Sequence, residues 1–146
     1  MAEALALADE AGALGEVPVG ALVVQGDRVL GRGFNRRESW QDPTAHAEII
    51  AIRQAAETLG SWRLEGCAVI VTLEPCSMCA GAMVLARVQH CVYGCSDPKG
   101  GFLGSLGDLS QVEGLNHSFT RESGVLADQC SKRLTEFFRK LRKPKS

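Results

Sequence analysis

Asp42-Pro43-Thr44-Ala45-His46-Ala47-Glu48 and Thr72-Leu73-Glu74-Pro75-Cys76-Ser77-Met78-Cys79 decide how this chain is read. They hold a His-x-Glu and, thirty residues after the histidine, a Pro-Cys-x-x-Cys. One imidazole and two thiolates are soft-to-borderline donors, and a zinc ion held by only three protein groups keeps its fourth tetrahedral position for water. Glu48 is left as a free carboxylate to shuttle protons. Asp42 before Pro43 reads as an N-cap with proline in the first helical position, opening a helix over about 44–59 with His46 and Glu48 in its first turn. The short β-branched run 66–73 reads as a strand, and Pro75 opens a helix carrying Cys76, Cys79, Met83 and Leu85. Cysteines at i and i+3 share a helix face, and the positive end of the helix favours thiolate over thiol. Two helix N-termini therefore converge on one ion.

Working outward, residues 3–14 place Ala4, Leu7, Ala8, Ala11 and Leu14 on one face of an amphipathic helix ending near Gly12 or Gly15. Residues 17–24 and 28–34, joined by Gly26-Asp27, predict an antiparallel hairpin. A fourth strand is expected over 88–94 and a fifth over 117–122. Between them, 96–114 is a glycine-rich loop of functional length. A terminal helix over 126–141 turns Cys130, Leu134, Phe137, Phe138 and Leu141 inward. The order α-β-β-α-β-α-β-β-α is that of an α/β protein with a central sheet covered on both faces.

The length of 146 residues suits one domain, 1–146, and no repeat or linker divides it. With 45% hydrophobic and 23% charged residues, the composition excludes disordered and fibrous classes. No stretch approaches the roughly 18 apolar residues of a membrane span. Glu3, Asp9 and Glu10 stand where a secretory leader would carry lysine or arginine, so a cytoplasmic protein is expected. Six cysteines in such a compartment suit reduced thiols and metal ligation, with Cys67, Cys91 and Cys130 read as small buried residues. Net charge is −1, yet 132–146 carries seven lysines and arginines against Glu136 alone. By itself that run is a solvated helix end; a polyanion such as RNA is the partner it would suit, since neutralised phosphates release counterions.

A lone Cys-x-x-Cys also occurs in redox motifs and in structural zinc knuckles. A closed structural site with Cys67, Cys91 or Cys95 as fourth ligand would have no use for a carboxylate beside its histidine, and a thioredoxin-like role would leave His46 and Glu48 unexplained. In the catalytic reading zinc lowers the pKa of water from about 15.7 towards 7 and Glu48 takes the proton. Hydroxide then attacks the amine-bearing carbon of a base while Glu48 protonates the ring nitrogen and then passes a proton to the amine, which leaves as ammonia. His-x-Glu followed by Pro-Cys-x-x-Cys is the signature of zinc nucleobase deaminases.

Beyond that signature, the chain resembles bacterial tRNA-specific adenosine deaminases along nearly its whole length. The matching blocks are Glu16-Val17-Pro18-Val19-Gly20-Ala21, Gly33-Phe34-Asn35-Arg36, the two metal motifs continued through Ala80-Gly81-Ala82-Met83, and Gly104-Ser105-Leu106. The resemblance implies a three-layer cytidine-deaminase-like fold with a mixed five-stranded sheet. It also implies a homodimer with sites near the subunit interface, and hydrolysis of adenosine to inosine at the wobble position of a tRNA anticodon. Carried over by position, His46, Cys76 and Cys79 bind one zinc per subunit and Glu48 shuttles protons. Asn35 contacts the flipped base, and the Ala47 N–H helps hold its reacting edge. Val19, Leu73 and Pro75 wall the pocket, although Val19 and Leu73 also suit ordinary strand core. Asp97 and Lys99 meet flanking nucleotides. Arg139 and Arg142, projecting away from Phe137, Phe138 and Leu141, are candidates for RNA phosphates. Cys95 stands where that family has a small residue such as alanine, which should alter packing beside the Asp97 loop.

Two other functions compete. A free nucleoside or nucleobase deaminase acting on cytidine or guanine shares the zinc motif but needs neither the segment 97–106 nor the basic tail. A non-catalytic zinc-stapled RNA-binding module would be indifferent to loss of Glu48.

Overall fold

The computed structural model describes residues 1–142; Lys143 and Lys145 of the basic tail lie outside the described residues. Its elements run α1 (Ala2–Ala13), β1 (Gly20–Gln25), β2 (Arg28–Phe34), α2 (Arg37–Trp40), α3 (Ala47–Leu59), β3 (Ala68–Leu73), α4 (Ser77–Ala86), β4 (His90–Cys95), β5 (Thr120–Glu122) and α5 (Ala127–Arg142). The five strands form one mixed sheet in the order β2-β1-β3-β4-β5. β1 runs antiparallel to β2 and β3, whereas β3, β4 and β5 are parallel.

Side chains alternate across a strand, and here the alternation divides the sheet between two helical layers. Ala21, Val23, Val69, Val71, Cys91 and Tyr93 join Ala47, Ala51 and Ala55 of α3 and Ala80, Met83 and Val84 of α4 in the main core. Leu22, Val24 and Ile70 face the other way, onto Ala4 and Leu7 of α1. Leu5 meets Cys95 and Cys130 on that second face, so α5 shares the layer of α1. Cys95 therefore packs beside a second buried thiol, its Sγ 3.5 Å from the Thr72 carbonyl.

The alanine stripe of α3 has a partner in β2. A Cβ at Gly31 or Gly33 would collide with the backbone of Ala47, Ala51 or Ala55, so glycine permits a helix–sheet approach closer than side chains allow.

Several sequence expectations are corrected. Leu14 lies past the end of α1 and is exposed, while Leu5 is buried in its place. β1 begins at Gly20 because Val17–Val19 is occupied by a tight turn, with the Val19 N–H donating to the Val17 carbonyl at 2.8 Å. α3 begins at Ala47 with His46 as its N-cap residue. Asp42 caps a turn instead, accepting from the Thr44 N–H at 2.8 Å and its hydroxyl at 2.7 Å. α4 likewise starts two residues after Pro75, with Cys76 in the N-cap position. Phe138 and Leu141, expected inside, are 41% and 66% exposed. The fifth strand is only three residues long.

Candidate active site

The topology brings four chain ends to one edge of the sheet. β2 ends into Asn35, β3 into Glu74-Pro75-Cys76 and β4 into Ser96-Asp97, while antiparallel β1 enters from Val17–Val19 at that same edge. A crevice outside the carboxyl ends of strands is where α/β sheets hold ligands. A cavity of about 790 Å³ opens there, with His46, Glu48 and Cys76 among its lining residues.

His46 and Cys76 are the N-cap residues of α3 and α4, so both helices point their positive ends at the cluster. The His46 Nδ1 lies 3.5 Å from Cys76 Sγ and 3.6 Å from Cys79 Sγ. All three ligand atoms fall within 4.8 Å of one another and could hold a metal ion. Among the described residues the cluster is these three alone, without Cys67, Cys91 or Cys95. A hydrogen bond from Cys79, aided by His46, lowers the Cys76 pKa to about 4 despite partial burial. Cys79, facing Cys76 and Glu48 and itself buried, is pushed upward. Two sulfurs this close ionise together only beside a compensating cation, which is what a metal supplies.

Glu48 sits in the first turn of α3, only 4% exposed. Burial pushes its carboxyl up to about 7 against the pull of the His46 imidazole. A carboxyl poised near neutrality can both take and give a proton. His46 is raised as well, foremost by its hydrogen bond with Cys76.

Asn35 is buried and doubly anchored. Its Oδ1 accepts the Ala47 N–H at 2.9 Å and its Nδ2 donates to the Val17 carbonyl at 3.2 Å. The Ala47 N–H, expected to face the base, is thus engaged by Asn35, whose amide keeps one N–H and one lone pair for the cavity. Val19 and Leu73 line the cavity. Pro75 is fully buried and is not among its lining residues; its carbonyl accepts the Phe102 N–H at 2.9 Å. Asp97 and Lys99 are at the mouth, where Asp97 Oδ1 also accepts the Lys99 N–H at 3.1 Å and so shapes its own turn. Arg142 lines the mouth beside Phe138 and Leu141 rather than projecting away from them. Arg139 is exposed and is not among the lining residues.

Sequence reasoning missed Val17, Arg37, Leu134 and Thr135, which also line the cavity. For Arg37 a signal exists in Glu16, whose buried carboxylate accepts the N–H groups of Glu38 and Ser39 at 3.1 and 2.7 Å and the Ser39 hydroxyl at 2.6 Å. That clamp fixes α2, and with it Arg37.

The pattern of the MafB19-like deaminase family matches residues 1–142. The chain is 50% identical over 145 residues to the tRNA-specific adenosine deaminase of Bacillus subtilis, covering 99% of this chain and 90% of that one. It is 47% identical over 146 residues to that of Haemophilus influenzae, covering 99% and 84%. The chain belongs to the tRNA-specific adenosine deaminase family. A solved structure from a study of A-to-I editing by tRNA:A34 deaminases at the wobble position of transfer RNA superposes with TM-score 0.85 at 44% identity, covering 90% of this chain and 95% of that one. The guanine deaminase of Bacillus subtilis is more distant, with TM-score 0.65 and 29% identity over 99% of this chain and 94% of its own. Membership of the family accounts for the three-layer fold with its mixed five-stranded sheet. No helix among the described residues is long and apolar enough to cross a membrane.

Proposed function

We propose that this chain hydrolyses adenosine to inosine at the wobble position of a tRNA anticodon, with one zinc ion at His46, Cys76 and Cys79 and with Glu48 as proton shuttle. The observation that carries the reading is the buried Glu48 carboxyl beside a three-donor cluster, of which His46 and Cys76 line the cavity with Glu48. The spacing suits zinc: bonds of about 2.05 Å to nitrogen and about 2.3 Å to sulfur give a tetrahedron whose N···S edges are about 3.5–3.6 Å. The metal, when bound, supplies a Lewis acid that makes water acidic enough to attack near neutrality.

Glu48 takes the proton of the attacking water and delivers it to the ring nitrogen beside the amine-bearing carbon. It then carries the second proton to the amine, which leaves as ammonia. Water is consumed and no oxidant is needed. Asn35, whose Oδ1 already takes the Ala47 N–H, holds the base edge through its remaining N–H and lone pair, and Val19 and Leu73 pack its faces, with Pro75 bracing the wall from behind. Asp97 and Lys99 meet the flanking nucleotides. Arg142 at the mouth, with Arg139 beyond it, meets backbone phosphates. Anticodon bases lie in a single-stranded loop, so extruding one costs less than opening a duplex.

The same reading makes the chain one deaminase domain that works in the cytoplasm, where its substrate is, and as a homodimer. The dimer is supported by an apolar groove of Ile49, Met78, Gly81, Ala82, Leu109 and Leu115 beside Leu85, which is 71% exposed. Incubation with an anticodon stem-loop carrying adenosine at the wobble position should yield equal amounts of inosine and ammonia. Strong turnover of cytidine or guanine with none of the stem-loop would overturn the reading.

A further inference from the structure

Glu74 stands between β3 and the Cys76-x-x-Cys79 turn and is 2% exposed. Its carboxylate accepts four hydrogen bonds: the Asp97 N–H at 3.0 Å, the Leu103 and Ser105 N–H groups at 3.0 Å each, and the Ser105 hydroxyl. A carboxylate offers about four lone-pair directions, so its capacity is filled. Among the described residues no Lys, Arg or His pairs with it. A buried anion without a counter-ion is costly, and here neutral donors alone offset that cost. Every donor comes from the single segment 97–105.

That segment is also stitched to the metal turn. The Phe102 N–H donates to the Pro75 carbonyl at 2.9 Å, and Gly101 bridges to Cys76. Gly101 is buried, and a Cβ there would run into the Glu74 carboxylate, so the chain passes as close to that group as a chain can. Asp97, Pro98 and Lys99 at the start of the segment line the cavity mouth.

We propose that Glu74 is a positioning residue, whose carboxylate folds segment 97–105 into the one conformation that presents Asp97 and Lys99 to the nucleotides beside the target base. The identity of those nucleotides rests on the function proposed above; the folding of the segment does not. Glu74→Gln keeps the volume but leaves one acceptor oxygen and turns an NH₂ toward N–H donors.

The test compares amide hydrogen exchange of the full-length, metal-loaded wild-type and E74Q chains, together with stem-loop kinetics. Exchange within 97–105 should rise at least about tenfold while β1 and α3 are unchanged and metal content is kept. KM for the stem-loop should rise about tenfold with kcat changed less than about threefold. Unchanged exchange in the segment overturns the proposal. So does faster exchange throughout the chain, which would mark a merely structural role, or a collapse of kcat with KM unmoved. If the wild type leaves the stem-loop untouched, the function proposed above fails, and exchange alone decides this inference. If E74Q does not fold, Ser105→Ala removes only the hydroxyl donor and should give the same local pattern at about two- to threefold. No change there overturns the proposal.

Discussion

Glu48→Gln replaces a carboxyl with a carboxamide of nearly equal volume at a buried position, so the packing around it is conserved. His46, Cys76 and Cys79 are untouched, and metal content should remain at the wild-type level. The chemistry loses the group that relays both protons of the attacking water. A positioned acid–base group is worth about 10²–10⁴ in rate, and Glu48 serves the water, the ring nitrogen and the leaving amine in turn, which argues for the upper end. A fall of about 10⁴ in kcat corresponds to about 5 kcal/mol of transition-state stabilisation. Inosine formation from the stem-loop, measured beside metal content by mass spectrometry, reads both quantities. Turnover within about tenfold of wild type would refute the shuttle, and loss of metal would show that the carboxylate is a ligand.

The same substitution carries a stability signature in the metal-free chain. Burial raises the Glu48 pKa from 4.5 in a free chain to about 7 when folded. A group raised in this way favours the fold fully below pH 4.5, and that contribution is lost as pH rises through about 7. Wild type should therefore lose on the order of 3 kcal/mol relative to E48Q between about pH 4 and pH 8, visible as a Tm difference that grows with pH. Equal Tm profiles for the two chains would refute the desolvated carboxyl.

Cys79→Ser should release the metal and abolish turnover, because a serine hydroxyl is a poor ligand at neutral pH; metal analysis after dialysis checks this. Arg142→Ala should weaken stem-loop binding and make the slope of log K against log salt shallower by about 0.7, whereas Arg139→Ala, farther from the cavity, should change it less. Glu16→Gln should lower stability near neutrality by about 2 kcal/mol, read by urea unfolding, through loss of charge-assisted hydrogen bonds to α2. Although burial opposes it, the bonds from Ser39 and Glu38 hold the folded Glu16 pKa below 4.5. That stabilisation is present above pH 4.5 and is lost as pH falls through the folded value, so wild type and E16Q should converge in acid.

Strands and helices were legible where one physical cause dominated. The hairpin followed from two apolar runs around Gly26-Asp27, and α1 followed from a 3.6-residue period that packing then used at Ala4, Leu7, Ala8 and Ala11. Boundaries failed where a side chain had a second employment. Asp42 could cap a helix or close a turn, and only the fold shows Thr44 taking its Oδ1. Val17–Val19 has strand-forming composition but turns to form the cavity wall. Phe138 and Leu141 complete an apolar stripe on α5 that is wider than its contact with the sheet; the surplus overhangs the cavity mouth, where no core exists to cover it. The metal motif was the most legible part because its chemistry is carried by residue type and short spacing. Arg37 was the least, because its place depends on Glu16, more than twenty residues away.

The geometry of the cluster is set largely by residues that never touch it. His46 and Glu48 flank Ala47, whose carbonyl oxygen a Cβ at Gly33 would run into. The start of α3 is thus pressed onto the backbone of β2, and Asn35, two residues beyond Gly33, receives the Ala47 N–H from the same contact. Close approach at Gly33 fixes the depth of the helix end, Asn35 fixes its rotation, and the antiparallel β1 carries that placement across to β3 and its Cys76 turn. A larger residue at Gly33 would move one metal donor and the proton shuttle together relative to the two sulfurs, which hang from a different strand. Three ligand atoms from two helices reach 3.5–3.6 Å spacing only because both helices are referenced to the same rigid sheet.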